Sequence, residues 1–105
     1  MSRVDSRMVD SKSKMKYFDL LWTSIAQLEN RDEAKQFFKD LLSESEAIML
    51  ARRIEIAKRL LNGESYGKIV SDLNVGMETV SKVHSWLVSG FGGYEKAING
   101  RIFSI

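Results

Sequence analysis

The sequence contains neither cysteine nor proline among its 105 residues. Without cysteine the chain has no disulfide framework and no thiolate metal site, which suits a reducing compartment. Without proline no position is barred from a helix interior, and 44% hydrophobic residues with well-spread charges are typical of an all-helical protein. The composition therefore predicts a small all-α protein.

Long apolar runs are missing as well. The N-terminal segment MSRVDSRMVDSKSK lacks the apolar stretch of a signal peptide, and no later segment is long enough to cross a bilayer. We therefore expect a soluble, cytoplasmic protein with no membrane partner. The net charge is only +2, so a surface for nucleic acid would have to gather its basic side chains locally.

Composition divides the chain into one domain and two short ends. Residues 1–13 are polar and lack periodicity, which predicts a mobile N-terminal arm. Residues 14–100 carry helical periodicity and predict a single helical domain, while 101–105 are expected to form a loosely ordered tail.

Three amphipathic helices are predicted in the first part of this domain. They run from about Lys16 to Glu29, from Asn30 to Leu42, and from Ser43 to Asn62, where Gly63 supplies the stop. Asn30 and Ser43 are each followed three residues later by glutamate, which is the pattern of a capping box. The first helix carries Phe18 and Trp22 on an apolar face that one neighbouring helix could not cover. We therefore expect a homodimer, and the alternative is a monomeric bundle with some exposed apolar surface.

The segment from Ser65 to Leu87 predicts a helix-turn-helix over about 65–89. Ser65 is a good N-cap, and Asn74 and Gly76 tolerate the backbone of a sharp corner. The apolar face of the second helix is formed by Met77, Val80, Val83, His84 and Leu87. Its opposite face is polar and consists of Glu78, Ser81, Lys82 and Ser85.

This pattern indicates a protein that binds duplex DNA. In a helix-turn-helix the second helix lies in the major groove, and two units related by a two-fold axis meet successive grooves about 34 Å apart. A helix, a turn and a helix also describe ordinary helical hairpins. The alternative of another class is therefore a helical protein–protein adaptor that does not bind DNA.

The segment from Leu42 to Leu87, LSESEAIMLARRIEIAKRLLNGESYGKIVSDLNVGMETVSKVHSWL, resembles the Trp repressor superfamily and its YerC/YecD-type Trp-repressor-like branch. The matching signature is an Arg-Arg pair in a long helix, then Leu-Leu-x-Gly, Ser-Tyr-x-x-Ile and Gly-x-x-Thr-Val-Ser-Lys-Val. The resemblance implies an intertwined all-α homodimer whose helix-turn-helix binds an operator. It implies a transcriptional regulator, expected to be a repressor.

The resemblance also implies positions for DNA contacts. Carried over position by position, they are Ser65, Gly67, Lys68, Met77, Glu78, Ser81 and Lys82, and the predicted contacts further include Thr79 and, from the polar face of the helix, Ser85. Lys68 and Lys82 are expected near phosphates. Glu78 either accepts a hydrogen bond from a cytosine amino group or is an acid favoured by the helix dipole. Met77 is either a contact or a core residue.

The founding member of the family binds L-tryptophan between two arginines, beside a glycine. The corresponding positions here are Arg53, Thr79, Lys82 and Val83. Lys82 stands where the second arginine is expected, and an ammonium does not stack on an indole as a guanidinium does. Val83 places a branched side chain where open space is needed. We therefore expect no L-tryptophan co-repressor and no other cofactor, and keep a repressor gated by a small ligand as the alternative.

Catalysis is not indicated. His84 is the single histidine of the chain and lies on an apolar helix face, which predicts a core or pocket-lining role rather than catalysis or metal binding. Acidic pairs such as Asp32 and Glu33 fall in first helical turns, where acids stabilise the helix dipole. We therefore do not expect an enzyme.

Overall fold

The computed structural model describes residues 4–100, and within this range the chain forms helices and no strand. A short 3-10 helix at Ser6–Met8 precedes six α-helices in the described range: α1 Ser11–Ala26, α2 Arg31–Leu41, α3 Glu44–Leu61, α4 Tyr66–Leu73, α5 Met77–Ser89 and α6 Gly93–Asn99. None of them combines the length and hydropathy that a membrane span requires. The all-α prediction is confirmed, and the predicted tail 101–105 lies outside the described residues.

The chain divides into two compact units, with the boundary after Ala47, and the prediction of one domain over 14–100 stays a prediction. The first unit, Met1–Ala47, contains α1 and α2. Helix α1 begins at Ser11, earlier than the start near Lys16 that periodicity predicted, because Asp10 caps it by accepting a hydrogen bond from the Ser13 backbone N–H at 2.8 Å. The mobility of the arm stays a prediction.

Local capping fixes the starts of α2 and α3 as the sequence predicted. Asn30 accepts from the backbone N–H of Glu33 at 3.0 Å. Ser43 and Glu46 form a reciprocal capping box, in which each side chain accepts from the backbone N–H of the other residue. These hydrogen bonds hold the pKa of Glu46 below its usual range.

The second unit, Ile48–Ile105, holds the apolar core. Five of its side chains are fully buried, from α3, α4 and α5: Ile56, Ala57, Ile69, Val80 and Val83. Eight partly buried residues pack against them: Leu60, Tyr66, Val70, Leu73, Val75, Leu87, Tyr94 and Ile98. Burial of a branched aliphatic side chain is worth about 1.5–3 kcal/mol, so this cluster fixes α5 against α3 and α4.

Two left-handed backbone positions shape the chain on either side of α4. Gly63 has φ +82° after α3, and Asn74 has φ 54° after α4. The left-handed conformation is costly for most side chains but accessible to glycine and asparagine. The prediction of a glycine stop and an asparagine corner is therefore confirmed, and α4 and α5 are joined by a turn of only Asn74, Val75 and Gly76.

Candidate nucleic-acid interface

Helix α5 has a buried face and an exposed face. Val80 and Val83 are fully buried in the core. Glu78, Ser81, Lys82 and Ser85 are all exposed, as the polar face of the pattern predicted. The core therefore holds α5 in place while one polar surface of the helix stays open to solvent.

The apolar face of α5 is narrower than periodicity predicted. Met77 is 53% exposed, so its interpretation as a core residue is wrong, whereas its role as a contact is untested. His84 is also exposed rather than buried. Thr79 is partly buried. Only Val80, Val83 and Leu87 of the predicted face pack into the core.

The beginning of α5 leaves backbone donors available. Gly76 is its N-cap and provides no side-chain acceptor for the first turn. The first N–H groups of a helix have no partner within the helix, and with the helix dipole they favour an anion there. Glu78 is the acid of this turn, so a bound anion would share the same end of the helix with a carboxylate.

The three residues predicted to lie near the DNA backbone, Ser65, Gly67 and Lys68, are at the N-terminal end of α4. Ser65 caps it by accepting from the Lys68 backbone N–H at 3.3 Å, and Gly67 is exposed with open space beside it. The Lys68 ammonium forms ion pairs with Asp72 at 2.8 Å and with Glu64 at 3.6 Å. Its positive charge is therefore already compensated by neighbouring carboxylates.

Arg59 of α3 belongs to the same ion-pair network. Its guanidinium lies 2.7 Å from Asp72, 3.4 Å from Glu64 and 3.9 Å from Glu55. Hydrogen bonds from Lys68 and Arg59 hold the pKa of Asp72 below its usual range, while Asp72 raises the pKa of both cations. The Glu55 oxygen nearest Arg59 is too far away for a hydrogen bond to it, and this oxygen has no hydrogen-bond partner among the described residues.

Lys82, unlike Lys68, is not paired with a carboxylate of the described residues. Its side chain is exposed on α5 and makes no ion pair with any of the residues 4–100. An ammonium that is not compensated within the protein attracts an external phosphate more strongly than one already paired. Of the two lysines predicted at phosphates, Lys82 is the better placed electrostatically.

A shallow cleft of about 250 Å³ lies between the start of α4 and the part of α5 from Ser81 to Ser89. We call it the α4–α5 cleft, and it is lined by Tyr66, Ser81, His84, Ser85, Val88 and Ser89. The Tyr66 hydroxyl and His84 Nδ1 are hydrogen-bonded, and their rings meet edge to face with centroids 5.6 Å apart. A pocket-lining His84 was predicted, but Tyr66 was missed because no local pattern relates residues 18 positions apart.

The four residues of the predicted ligand pocket are in different environments. Val83 is fully buried in the core, Thr79 is partly buried and Lys82 is exposed. The Arg53 guanidinium lies over the ring of Trp86, 5.6 Å from its centroid, in a cation–π contact between α3 and α5. The chain's own indole therefore covers one face of the arginine that the resemblance assigned to a ligand.

Comparison with known proteins identifies the family. The family model described as Trp repressor protein matches residues 16–101. The chain belongs to the Trp repressor family. It is also similar to YerC of Bacillus subtilis (strain 168), an uncharacterized protein, with 35% identity over 88 residues that span 84% of this chain and 85% of YerC.

A solved structure supports the same assignment. This Trp repressor family member superimposes on a TrpR-like protein from Eubacterium eligens ATCC 27750 with a TM-score of 0.75 and 30% identity, covering 87% of this chain and 94% of the other. The predicted resemblance to the YerC-type branch is confirmed. The family is one of regulator folds rather than of enzymes.

Proposed function

We propose that this Trp repressor family member is a homodimeric, sequence-specific DNA-binding regulator that represses transcription by occupying an operator. The observation that carries the proposal is the exposed polar face of α5, formed by Glu78, Ser81, Lys82 and Ser85, on a helix that the core fixes through its other face. A rigid helix with an open polar face and a short turn before it has the form of a helix that enters the major groove.

The contacts on this surface have different roles in the proposal. Ser81 and the N-terminal part of α5 meet base edges, because the second helix of a helix-turn-helix presents its first residues to the bases. Lys82 neutralises a phosphate. Ser65 and Gly67, at the start of α4, lie against the DNA backbone, where the absence of a side chain at Gly67 allows close approach.

The exposed apolar side chains support the homodimer. In α1, Phe18 and Trp22 stack with centroids 6.2 Å apart, yet they are 53% and 59% exposed. In α3, Ile54 is 46% exposed. Apolar surface of this extent favours burial against a second copy, and two-fold symmetry would then present two α5 helices to successive major grooves.

The first experiment measures DNA binding directly. A randomised duplex library is passed over the immobilised protein, retained sequences are amplified, and the affinity of the selected duplex is measured from 50 to 300 mM KCl. We expect an enriched, pseudo-palindromic sequence and an affinity that falls steeply with salt. If no duplex is retained at low salt, the proposal is overturned in favour of a protein–protein adaptor.

The second experiment tests Lys82. In Lys82→Ala the logarithmic salt slope should become shallower by about 1.8, because each of the two protomers no longer neutralises one phosphate, and the affinity should fall on all duplexes. The control is Lys58→Ala, which removes an exposed lysine of α3 and the same formal charge. An equal effect of both variants would show that only net charge matters and would contradict the role of Lys82.

A further inference from the structure

The α4–α5 cleft contains two polar side chains, Tyr66 and His84, that the proposed DNA contacts do not use. The hydroxyls of Ser81 and Ser85, which belong to the proposed DNA-contacting face, line the same cleft. Within residues 4–100 neither of these two serine hydroxyls has a hydrogen-bond partner, whereas Ser89 donates to the Ser85 carbonyl at 2.8 Å. The cleft is open to solvent and has room for a group much larger than a water molecule.

We propose that this cleft binds one phosphate of the DNA backbone, with His84 as the donor and Tyr66 as the residue that fixes its tautomer. The proposal rests on the proposed function and extends it to two residues outside the predicted contacts. The Tyr66 hydroxyl and His84 Nδ1 are hydrogen-bonded, and in this proposal the hydroxyl is the donor, which leaves the ring proton on Nε2. His84 then has one N–H, at Nε2, that a phosphate oxygen can accept.

The position of the cleft favours a phosphate over a base edge. His84 and Ser85 lie in the second half of α5, whereas base edges are met by the first residues of such a helix. Tyr66 is the first residue of α4, the helix that crosses the DNA backbone in this arrangement. In this arrangement the cleft therefore faces the sugar–phosphate backbone of the DNA rather than the base edges in the major groove.

The chemistry of the lining agrees with this ligand. Phosphate oxygens only accept hydrogen bonds, and imidazole N–H and serine hydroxyls are donors. No carboxylate is among the lining residues, so nothing in the cleft itself repels an anion. Lys82 directly follows the lining residue Ser81 in the sequence and adds positive charge nearby.

The tautomer is tested first, without DNA. The chain has one histidine, so the imidazole nitrogen resonances in a ¹⁵N NMR spectrum belong to His84 alone. At pH 8 the free protein should show Nε2 protonated and Nδ1 bare, and Tyr66→Phe should show a mixture of tautomers. A proton on Nδ1 in the free protein would overturn the role of Tyr66.

The phosphate contact is tested on a duplex selected by the protein. His84→Ala should bind about 10-fold more weakly, since it removes a hydrogen bond to a charged group, and His84→Gln, which keeps a donor near the Nε2 position, should recover part of the affinity. Tyr66→Phe should weaken binding about 3-fold, because only a fraction of the imidazole keeps the required tautomer. Ser89→Ala is the matched control in the same cleft and should bind as the unaltered protein does.

A chemical double-mutant cycle separates a phosphate contact from a structural effect. Single phosphates of the duplex are replaced in turn by neutral methylphosphonates. At one position in each half-site the replacement should weaken the unaltered protein yet leave His84→Ala unchanged, while all other positions affect both equally. This non-additivity is a readout that a general loosening of α5 would not produce.

The outcomes distinguish this inference from the function on which it rests. If no duplex binds the unaltered protein, both proposals are overturned. If the duplex binds but His84→Ala binds equally well, or its effect adds to that of every methylphosphonate, the inference about the cleft is wrong and the proposed function stands.

Discussion

The two compact units use similar apolar side chains in opposite ways. In the second unit, α3, α4 and α5 together bury five side chains completely. In the first unit, α1 and α2 bury none, although α1 carries tyrosine, phenylalanine, leucine and tryptophan. Helices α3, α4 and α5 thus form a core within one chain, whereas the apolar side chains of α1 stay exposed in the single chain.

The largest effect is expected from breaking the core of the second unit. Ile69→Ala removes a fully buried side chain and leaves a cavity among α3, α4 and α5, so the free energy of unfolding should fall by about 2–5 kcal/mol. Equilibrium denaturation in urea measures it. We expect the same decrease at 1 and at 100 μM protein, and a decrease that depends strongly on concentration would contradict a core formed within one chain.

The next effect comes from the exposed face of α1. Trp22→Ala should lower the free energy of unfolding by about 2 kcal/mol and shift the protein towards monomer, because the proposed dimer buries this indole. Light scattering after size exclusion and thermal unfolding over a dilution series measure both. Val88→Ala, which removes an exposed apolar side chain from α5, is the control, and a dimer that survives Trp22→Ala unchanged would place the interface elsewhere.

A smaller effect is expected from the contact between Arg53 and Trp86. Trp86→Leu should lower the free energy of unfolding by about 0.5–1 kcal/mol, the usual size of a cation–π contact at a partly exposed site. The measurement is a double-mutant cycle with Arg53→Met. If the effects of the two single substitutions add without coupling, the contact does not stabilise α5 against α3.

The smallest effect is expected from the surface network around Asp72. The pKa of Asp72 is lowered below its ordinary value of 3.8, so its ionised form is favoured by folding. The stability it adds is present above that ordinary value and is lost as pH falls through the folded pKa. Thermal unfolding of the unaltered protein and Asp72→Asn should differ slightly at pH 7 and converge below pH 3.8. A difference that grows in acid would contradict this assignment.

The sequence predicted the helices wherever a short-range signal sets an end. Ser65 and the pair Ser43 and Glu46 cap helices as predicted, and Asn74 turns the chain as predicted, because capping and left-handed turns depend on residues close in sequence. The start of α1 was missed because its cap, Asp10, precedes a polar turn without apolar periodicity.

The candidate site was predicted less completely than the fold. Polar residues of α5 were placed correctly on an exposed face, since helical periodicity alone determines it. The pairing of Tyr66 with His84 and the contact of Arg53 with Trp86 join helices that are distant in sequence. Such contacts depend on how helices pack, and the local pattern of a single sequence carries no signal for them.

If the stacked Phe18 and Trp22 are buried in the proposed homodimer, the fraction of chains that are dimeric rises with the concentration of the protein in the cell, by mass action. Occupancy of a palindromic site would then increase more steeply than in proportion to the number of molecules. Under the proposed function, repression would then respond to the amount of protein with a threshold, without a small effector.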